Sequence, residues 1–404
     1  MKIANLLFVY KRSEHTARVL EALSRNTILP QKLIIFQDGL RDDKDICEWN
    51  KVNRLINSID WCDHEVFVSA YNQGLADAVV TGVNYVFQEY DAVIVLEDDC
   101  VTHPAFMTFM LQALNQYQNK KDVYSVSGYA YPVDVQSNGT DAYFTKRISS
   151  WGWGTWKDRW IYYQRDYRML GRIMNNAGLE KDLHIWGADL ENYVRGNIYG
   201  TYNSWAAFWA LTVIERHGYC LSPYKSLLRN IGLDGTGVHC GSAELIQHLY
   251  DEKRFSFLLP EEIKIPDDCE QTFTDYFSWT RPEKRLGLYN DFLIRWVDSA
   301  TNKQFKLAER LIKNGISKCV IWGKGKLCDL LMKELEDRIQ ILSIIESRPV
   351  EKEYRGIPVV GVKDIPEEAQ LIIVIPIHDF SKIEKMAKEI TRCRIISLEK
   401  ILDM

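Results

Sequence analysis

The chain has 404 residues, 46% of them hydrophobic and 26% charged, which is the composition of an ordinary globular protein of two or three domains and excludes a disordered or fibrous one. Fifty Lys and Arg against 55 Asp and Glu leave a net charge of −5, so no general electrostatic pull toward nucleic acid exists. No run of about 18 apolar residues is present to span a membrane. The nine Cys are scattered with no Cys-x-x-Cys pair, which argues against a disulfide framework or zinc knuckle and for a reducing cytoplasm.

In chain order, strand and helix patterns alternate. Ile3–Val9 reads as a buried strand rather than a signal peptide, since neither a basic cluster before it nor a small-residue cleavage site after it is present. Ser13 is the expected N-cap of a helix running to about Arg25. Lys32–Phe36 reads as a second strand ending at Gln37-Asp38-Gly39, followed by a polar helix from about Asp43 to Ser58. Glu65–Ser69 is a third strand, and Gly74–Phe87 a helix with apolar spacing at Leu75, Val79, Val83 and Val86. Ala92–Leu96 is a wholly apolar fourth strand that runs into Glu97-Asp98-Asp99. Such a succession predicts a mostly parallel α/β sheet, whose ligands bind at the carboxyl ends of its strands.

From Tyr124 to Asp268 the pattern is less regular and reads as loops and short helices built over the sheet. Seven of the twelve Trp fall between Trp151 and Trp209. Phe273–Lys318 looks helical and amphipathic. A second, smaller α/β pattern then restarts with strands at Cys319–Trp322, Gln340–Ile345 and Leu371–Ile375. The resulting division is 1–270, a helical connector 271–312, and a Rossmann-like domain 313–404. Gly323-Lys324-Gly325 with Cys328 and Glu346 forms a weak version of the dinucleotide fingerprint, and dimerisation or partner docking is the other reading of that domain.

Three consecutive carboxylates after a buried strand repel one another unless a cation is near. A hard divalent ion, shared with substrate phosphates, relieves that repulsion; a solvated acidic turn is the plainer alternative. Asp38, at another strand end, is either a ligand contact or a turn residue before Gly39.

Several motifs carry a family resemblance: Val9-Tyr10-Lys11-Arg12, Gln37-Asp38-Gly39, Asn72-Gln73-Gly74-Leu75-Ala76 and Leu96-Glu97-Asp98-Asp99, in that order. Together they resemble the nucleotide-sugar half of GT-A glycosyltransferases, in particular the bacterial family 2 sugar transferases and the Golgi β-1,2-N-acetylglucosaminyltransferases, which share the Glu-Asp-Asp triplet. Ser150-Trp151-Gly152-Trp153-Gly154-Thr155-Trp156 and Asn230-Ile231-Gly232-Leu233-Asp234-Gly235-Thr236-Gly237-Val238-His239 are typical of the bacterial group. The resemblance covers roughly residues 1–260.

It implies a transfer of sugar from a nucleotide-diphosphate donor, UDP-linked, to a saccharide acceptor in capsule or O-antigen synthesis. Asp99, and His239 as a further ligand, would hold Mn²⁺ or Mg²⁺. Asp98 and Glu97 would hold ribose or sugar, Asp38 the base or ribose, and Arg12 would reach the nucleotide, while backbone N–H groups after Asn72 help hold the donor. Trp151 or Trp153 would stack on a sugar, with Trp156 and Trp160 in the core. The catalytic base is the weakest carry-over: at the spacing where the Golgi enzymes have an acid, this chain has Trp205-Ala206-Ala207-Phe208-Trp209. Asp189, Glu191 and Asp234 are the candidates left, and a retaining reaction stays open. A lipid-linked acceptor would bring the protein to the inner face of the cell membrane, and the last domain offers a route to homo-oligomers. Two rivals stand beside this reading: a nucleotidyltransferase, which normally starts with a Gly-rich loop absent from Val9–Ser13, and a carbohydrate-binding protein without catalysis.

Overall fold

The apolar runs at the start of the chain become neighbouring strands. A computed structural model describes residues 1–200, 202–232, 249–250, 255–278, 282–301, 307–335, 338–346, 349 and 351–404. In it β1 (Ile3–Val9), α1 (Ser13–Ser24), β2 (Lys32–Gln37), α2 (Ile46–Asn57), β3 (Asp63–Val68), α3 (Leu75–Val86) and β4 (Ala92–Glu97) follow the predicted alternation. Ser13 is the first helical residue rather than the cap. Its hydroxyl donates to Glu48 at 2.6 Å, and the cap position falls to Arg12, whose carbonyl is held by the Thr16 amide at 2.9 Å.

Beyond β4 come β5 (Cys100–Thr102), α4 (Phe106–Tyr117), β6 (Val123–Ser127), β7 (Ala142–Thr145), β8 (Trp153–Trp156) and the short α5 (Lys157–Trp160). Helices α6 (Met169–Met174), α7 (Ala177–Trp186), α8 (Leu190–Ile198) and α9 (Trp205–Glu215) follow, then β9 (Tyr219–Pro223), β10 (Leu228–Asn230) and α10 (Cys269–Ser278). The region expected to hold only loops and short helices therefore supplies half of the main sheet, whose order is β3-β2-β1-β4-β8-β6-β9-β7. Strands β3, β2, β1 and β4 are mutually parallel; β8 runs antiparallel between β4 and β6. These later strands have only four or five residues and contain Gly, Ser and Trp, so they lack the long apolar run that marks β1 and β4.

Alternate side chains of the central strands enter opposite cores. Leu7, Val9, Ile94 and Leu96 pack with residues of α1, α2 and α4. Ala4, Leu6, Phe8, Val93 and Val95 pack with α3 and α9, together with Trp153, Trp160, Trp205 and Trp209. Burial on both faces is why β1 and β4 read as unbroken apolar segments.

Residues 1–278 and 279–404 form separate compact units. The second holds α11 (Pro282–Thr301), α12 (Leu307–Lys313), β11 (Lys318–Trp322), α13 (Lys326–Leu335), β12 (Gln340–Ile345), β13 (Glu353–Tyr354), β14 (Ile357–Val360), β15 (Leu371–Val374), α14 (Phe380–Lys388) and β16 (Arg394–Ser397). Its sheet order is β13-β14-β12-β11-β15-β16, parallel except for the β13 edge, so it is a second α/β fold of doubly wound order. Phe292 and Trp296 of α11 and Leu307 and Leu311 of α12 lie in one core with Ile321 and Ile373. The segment expected as a connector is thus divided: α10 packs in the first unit through Phe273 and Phe277, and α11 and α12 are part of the second.

Candidate donor site

Parallel register brings the carboxyl ends of β1 and β4 side by side, with Phe8 opposite Glu97. The turn after β1 therefore delivers Arg12 to the acidic triplet. The Arg12 Nη2 donates to Asp98 Oδ1 and to Asp99 Oδ2, the latter at 2.9 Å, and Nε reaches Asp98 Oδ2 at 3.3 Å. Both aspartates are 5% exposed. Past Asp99, β5 pairs antiparallel with β10 and sets Cys100 opposite Asn230. That pairing brings the start of the Gly-rich segment onto the triplet: the Ile231 amide donates to the Asp99 carbonyl at 2.9 Å, and Asn230 Nδ2 lies 3.4 Å from Asp99 Oδ1. A Cβ on Gly232 would overlap the Asp99 carboxylate and sit 2.8 Å from Arg12 Nη1, so only glycine allows this approach.

The electrostatics follow from burial and from the count of charges. Burial, then Asp99 and Asp98, push the Glu97 carboxyl well above the usual carboxylate range, with Arg12 opposing. Burial also raises Asp98, against the pull of Arg12. Burial disfavours the Arg12 charge, but Asp98 and Asp99 outweigh it and hold the guanidinium protonated.

Other expected contacts go elsewhere. Asp38 Oδ1 accepts from the Gly39 and Gln73 amides at 2.9 and 2.8 Å, and Oδ2 from Gly74 at 2.9 Å. It thereby takes up the N–H groups of Gln73 and Gly74, just before α3. Asn72 Nδ2 donates to the Gly39 carbonyl at 2.8 Å, and a Cβ on Gly39 would overlap the Tyr71 backbone. Asp38 and Asn72 thus tie two loops together. Beside them is a cavity of about 140 Å³ lined by Phe36, Phe67, Val68, Ser69 and Gln73.

Trp153 is fully buried and stacks on Trp205 at 4.8 Å, so it is a core residue and does not line the site; Trp156 and Trp160 are core as expected. Trp151 is half-buried, edge-on to Tyr129 at 4.6 Å. It lies outside β8, which begins at Trp153 after a turn at Gly152 with φ 55°. Asp189 is held by Arg147 through two bonds of 2.7 and 2.8 Å, so its lone pairs are engaged by a permanent cation and it is not poised as a base. Glu191 pairs with Arg195 at 2.7 Å. Trp205, Ala207, Phe208 and Trp209 are core. Asp234 and His239 lie outside the described residues. In the second unit, Glu346 accepts from the Lys324 backbone amide at 3.1 Å, and Cys328 is buried.

Contacts of Arg12, Asn230 and Gly232 with the triplet were not foreseen, because they depend on strand pairing between distant segments: β1 with β4 for Arg12, 86 and 87 residues from its partners, and β5 with β10 for Asn230, 131 residues from Asp99. Among the described residues no three His, Cys, Asp or Glu side chains converge as a metal site. Hard divalent ions, however, are often held by one or two carboxylates with phosphates completing the shell. The oxygen donors of Asp98 and Asp99, with three acids against one guanidinium, fit Mn²⁺ or Mg²⁺ in that shared mode.

No protein-family model matches the sequence, and no curated protein matches it. Solved structures overlay on parts of the chain. They include S. aureus TarS in complex with UDP-GlcNAc, at 11% identity over 34% of this chain and 36% of that one, TM-score 0.25. The mannosyltransferase PcManGT from Pyrobaculum calidifontis, in complex with GDP-Man and Mn²⁺, overlays at 8% identity over 54% and 69%, TM-score 0.31. A UDP-glucose pyrophosphorylase complexed with UDP-glucose does so at 10% over 57% and 92%, TM-score 0.31. The overlay spans little more than a third of that TarS chain, which comprises residues 1–349. Scores this low transfer no activity to this chain.

Proposed function

We propose that the chain is a GT-A glycosyltransferase that moves a sugar from a UDP-linked donor to a saccharide acceptor of bacterial surface polysaccharide. The observation that carries this reading is the buried Arg12–Glu97–Asp98–Asp99 cluster at the adjoining carboxyl ends of two parallel strands, covered by the start of the Gly-rich segment. Ligands of such sheets bind at these ends. Asp99 and Asp98 are the residues that would hold Mn²⁺ or Mg²⁺, with His239 as a further ligand. When bound, the ion would act as a Lewis acid that stabilises charge on the leaving diphosphate. Arg12 offers phosphate oxygens a planar array of donors, and Glu97 is assigned to the ribose or sugar. Trp151, half-buried beside Tyr129, is assigned to stacking on a sugar face, and the cavity near Asp38 to the base. With Asp189 bound to Arg147, Asp234 is our assignment for the base that deprotonates the acceptor hydroxyl. The acceptor is assigned to a lipid carrier at the inner face of the cell membrane.

Calorimetry of UDP, GDP and dTDP with and without Mn²⁺, on wild type and Asp99→Asn, tests the reading. One nucleotide should bind about tenfold more tightly with Mn²⁺ than without it, and the variant should lose that gain, a charged contact of roughly 1.4 kcal/mol. Failure of all three to bind with the ion would reduce the triplet to an acidic turn. Release of pyrophosphate from UTP and a sugar phosphate would point instead to a nucleotidyltransferase.

A further inference from the structure

The guanidinium of Arg12 takes up the carboxylate oxygens that a cation at this site would need. Asp98 Oδ1, Asp98 Oδ2 and Asp99 Oδ2 all accept from it. The fourth oxygen, Asp99 Oδ1, faces Asn230 Nδ2 at 3.4 Å and Cys100 Sγ at 3.7 Å. Each oxygen of the two aspartates therefore already has a donor, and the guanidinium's positive charge among them opposes the entry of a divalent ion. Arg12 contacts three of the four oxygens and carries their positive charge, so it is the group that an entering ion would displace.

A second feature shows where the guanidinium could go. Arg12 Nη1 is buried and has no hydrogen-bond partner among the described residues. An arginine fork satisfies such an N–H against phosphate oxygens, which it matches two at a time. Pulling Arg12 from its aspartates with nothing to receive it leaves a buried charge unpaired, which is strongly unfavourable. An incoming diphosphate removes that obstacle.

We infer that Arg12 is an exchangeable counter-cation, which gives up Asp98 and Asp99 to a divalent ion as it transfers to the phosphates of a nucleotide, so that ion and nucleotide each tighten the other's binding. The inference rests on the donor-site reading above. Linkage makes the effect reciprocal, and the coupling disappears with the guanidinium.

The test is a titration of the full chain with Mn²⁺, read by the electron paramagnetic resonance of the free ion, with and without saturating UDP. In wild type, UDP should tighten Mn²⁺ by about tenfold, within the usual range of coupling between sites. Arg12→Gln should bind Mn²⁺ alone about tenfold more tightly than wild type, because Asp98 and Asp99 are freed, and should keep little of the gain from UDP. A merely structural role predicts the opposite direction, since a damaged site holds Mn²⁺ less well. Unchanged or weaker Mn²⁺ binding by folded Arg12→Gln overturns the inference. Should that variant fail to fold, Arg12→Lys decides: a point charge cannot span both carboxylates as the fork does, so Mn²⁺ alone should bind more tightly than to wild type, and equal or weaker binding overturns the exchange. If Mn²⁺ binds wild type and is lost in Asp99→Asn, yet UDP leaves its affinity unaltered, the donor site stands and the coupling falls. If wild type binds no Mn²⁺ even with UDP, both fall together.

Discussion

Single residues in the tryptophan-rich stretch serve packing more than recognition. Arg159, 2% exposed, donates to the carbonyls of Tyr117, Gln118, Lys120 and Val123 at 2.9–3.2 Å and lies over the Trp156 ring at 4.4 Å. The carbonyls at the end of α4 have no partners within the helix; this guanidinium serves those of Tyr117 and Gln118, and Trp156 Nε1 that of Leu114. Arg159→Ala should cost about 3 kcal/mol in urea unfolding, the usual range for breaking a buried charged network. A loss under about 1 kcal/mol would contradict that role. Residue type and position alone did not separate Trp151 from Trp153. The turn at Gly152, φ 55°, decides it: β8 begins only at Trp153 and carries that ring into the core beside Trp205, while Trp151 stays outside the strand against Tyr129. Asp38 shows the same limit: its place at a strand end was legible, but not that three backbone amides would claim both its oxygens.

At the scale of elements, β1 to β4 were legible because burial on both faces leaves a continuous apolar run, whereas β6 to β9 are short and interrupted. The elements also govern thiol chemistry. Cys100 in β5, Cys220 in β9, Cys319 in β11 and Cys328 in α13 are buried, while Cys47 in α2 is exposed. Burial pushes Cys220, Cys319 and Cys328 up to about 12. An acid whose pKa is raised stays protonated below it, so at pH 8 these thiols carry almost no reactive thiolate. With iodoacetamide at pH 8, peptide mapping should find Cys47 modified in the native protein, and Cys100, Cys220, Cys319, Cys328 and the equally buried Cys269 only after denaturation. Early modification of Cys319 or Cys328 would mean that the second sheet opens far more readily than its packing suggests.

For the whole molecule, the consequence lies in its separate cores. The apolar clusters of the second unit draw on residues from Tyr289 onward, and those of the first on residues up to Phe277. Each unit buries its own sheet, so each has the means to fold cooperatively by itself. Residues 279–404 expressed alone should give a single sigmoidal urea transition by circular dichroism, and residues 1–278 should bind the same nucleotide as the full chain within about threefold, since additivity holds for independent parts. A fragment 279–404 that melts without a transition would show that its core is incomplete. Among the described residues no helix is long and apolar enough to cross a membrane.

The sequence by itself determined the α/β class, the second α/β unit and the place of the acidic triplet at a strand end, because these follow from local patterns: apolar runs, helical spacing and the polar turn that must follow a buried strand. Which residues meet that triplet was decided only by the tertiary structure. Parallel register puts Arg12 against Asp98 and Asp99, and the β5–β10 pairing brings Asn230 and Gly232 to the same point. The same folding binds Asp189 to Arg147 and Asp38 to backbone amides. A carboxylate's chemistry depends on what lies within about 3 Å of it, and that neighbourhood comes from chain segments whose pairing no local pattern encodes.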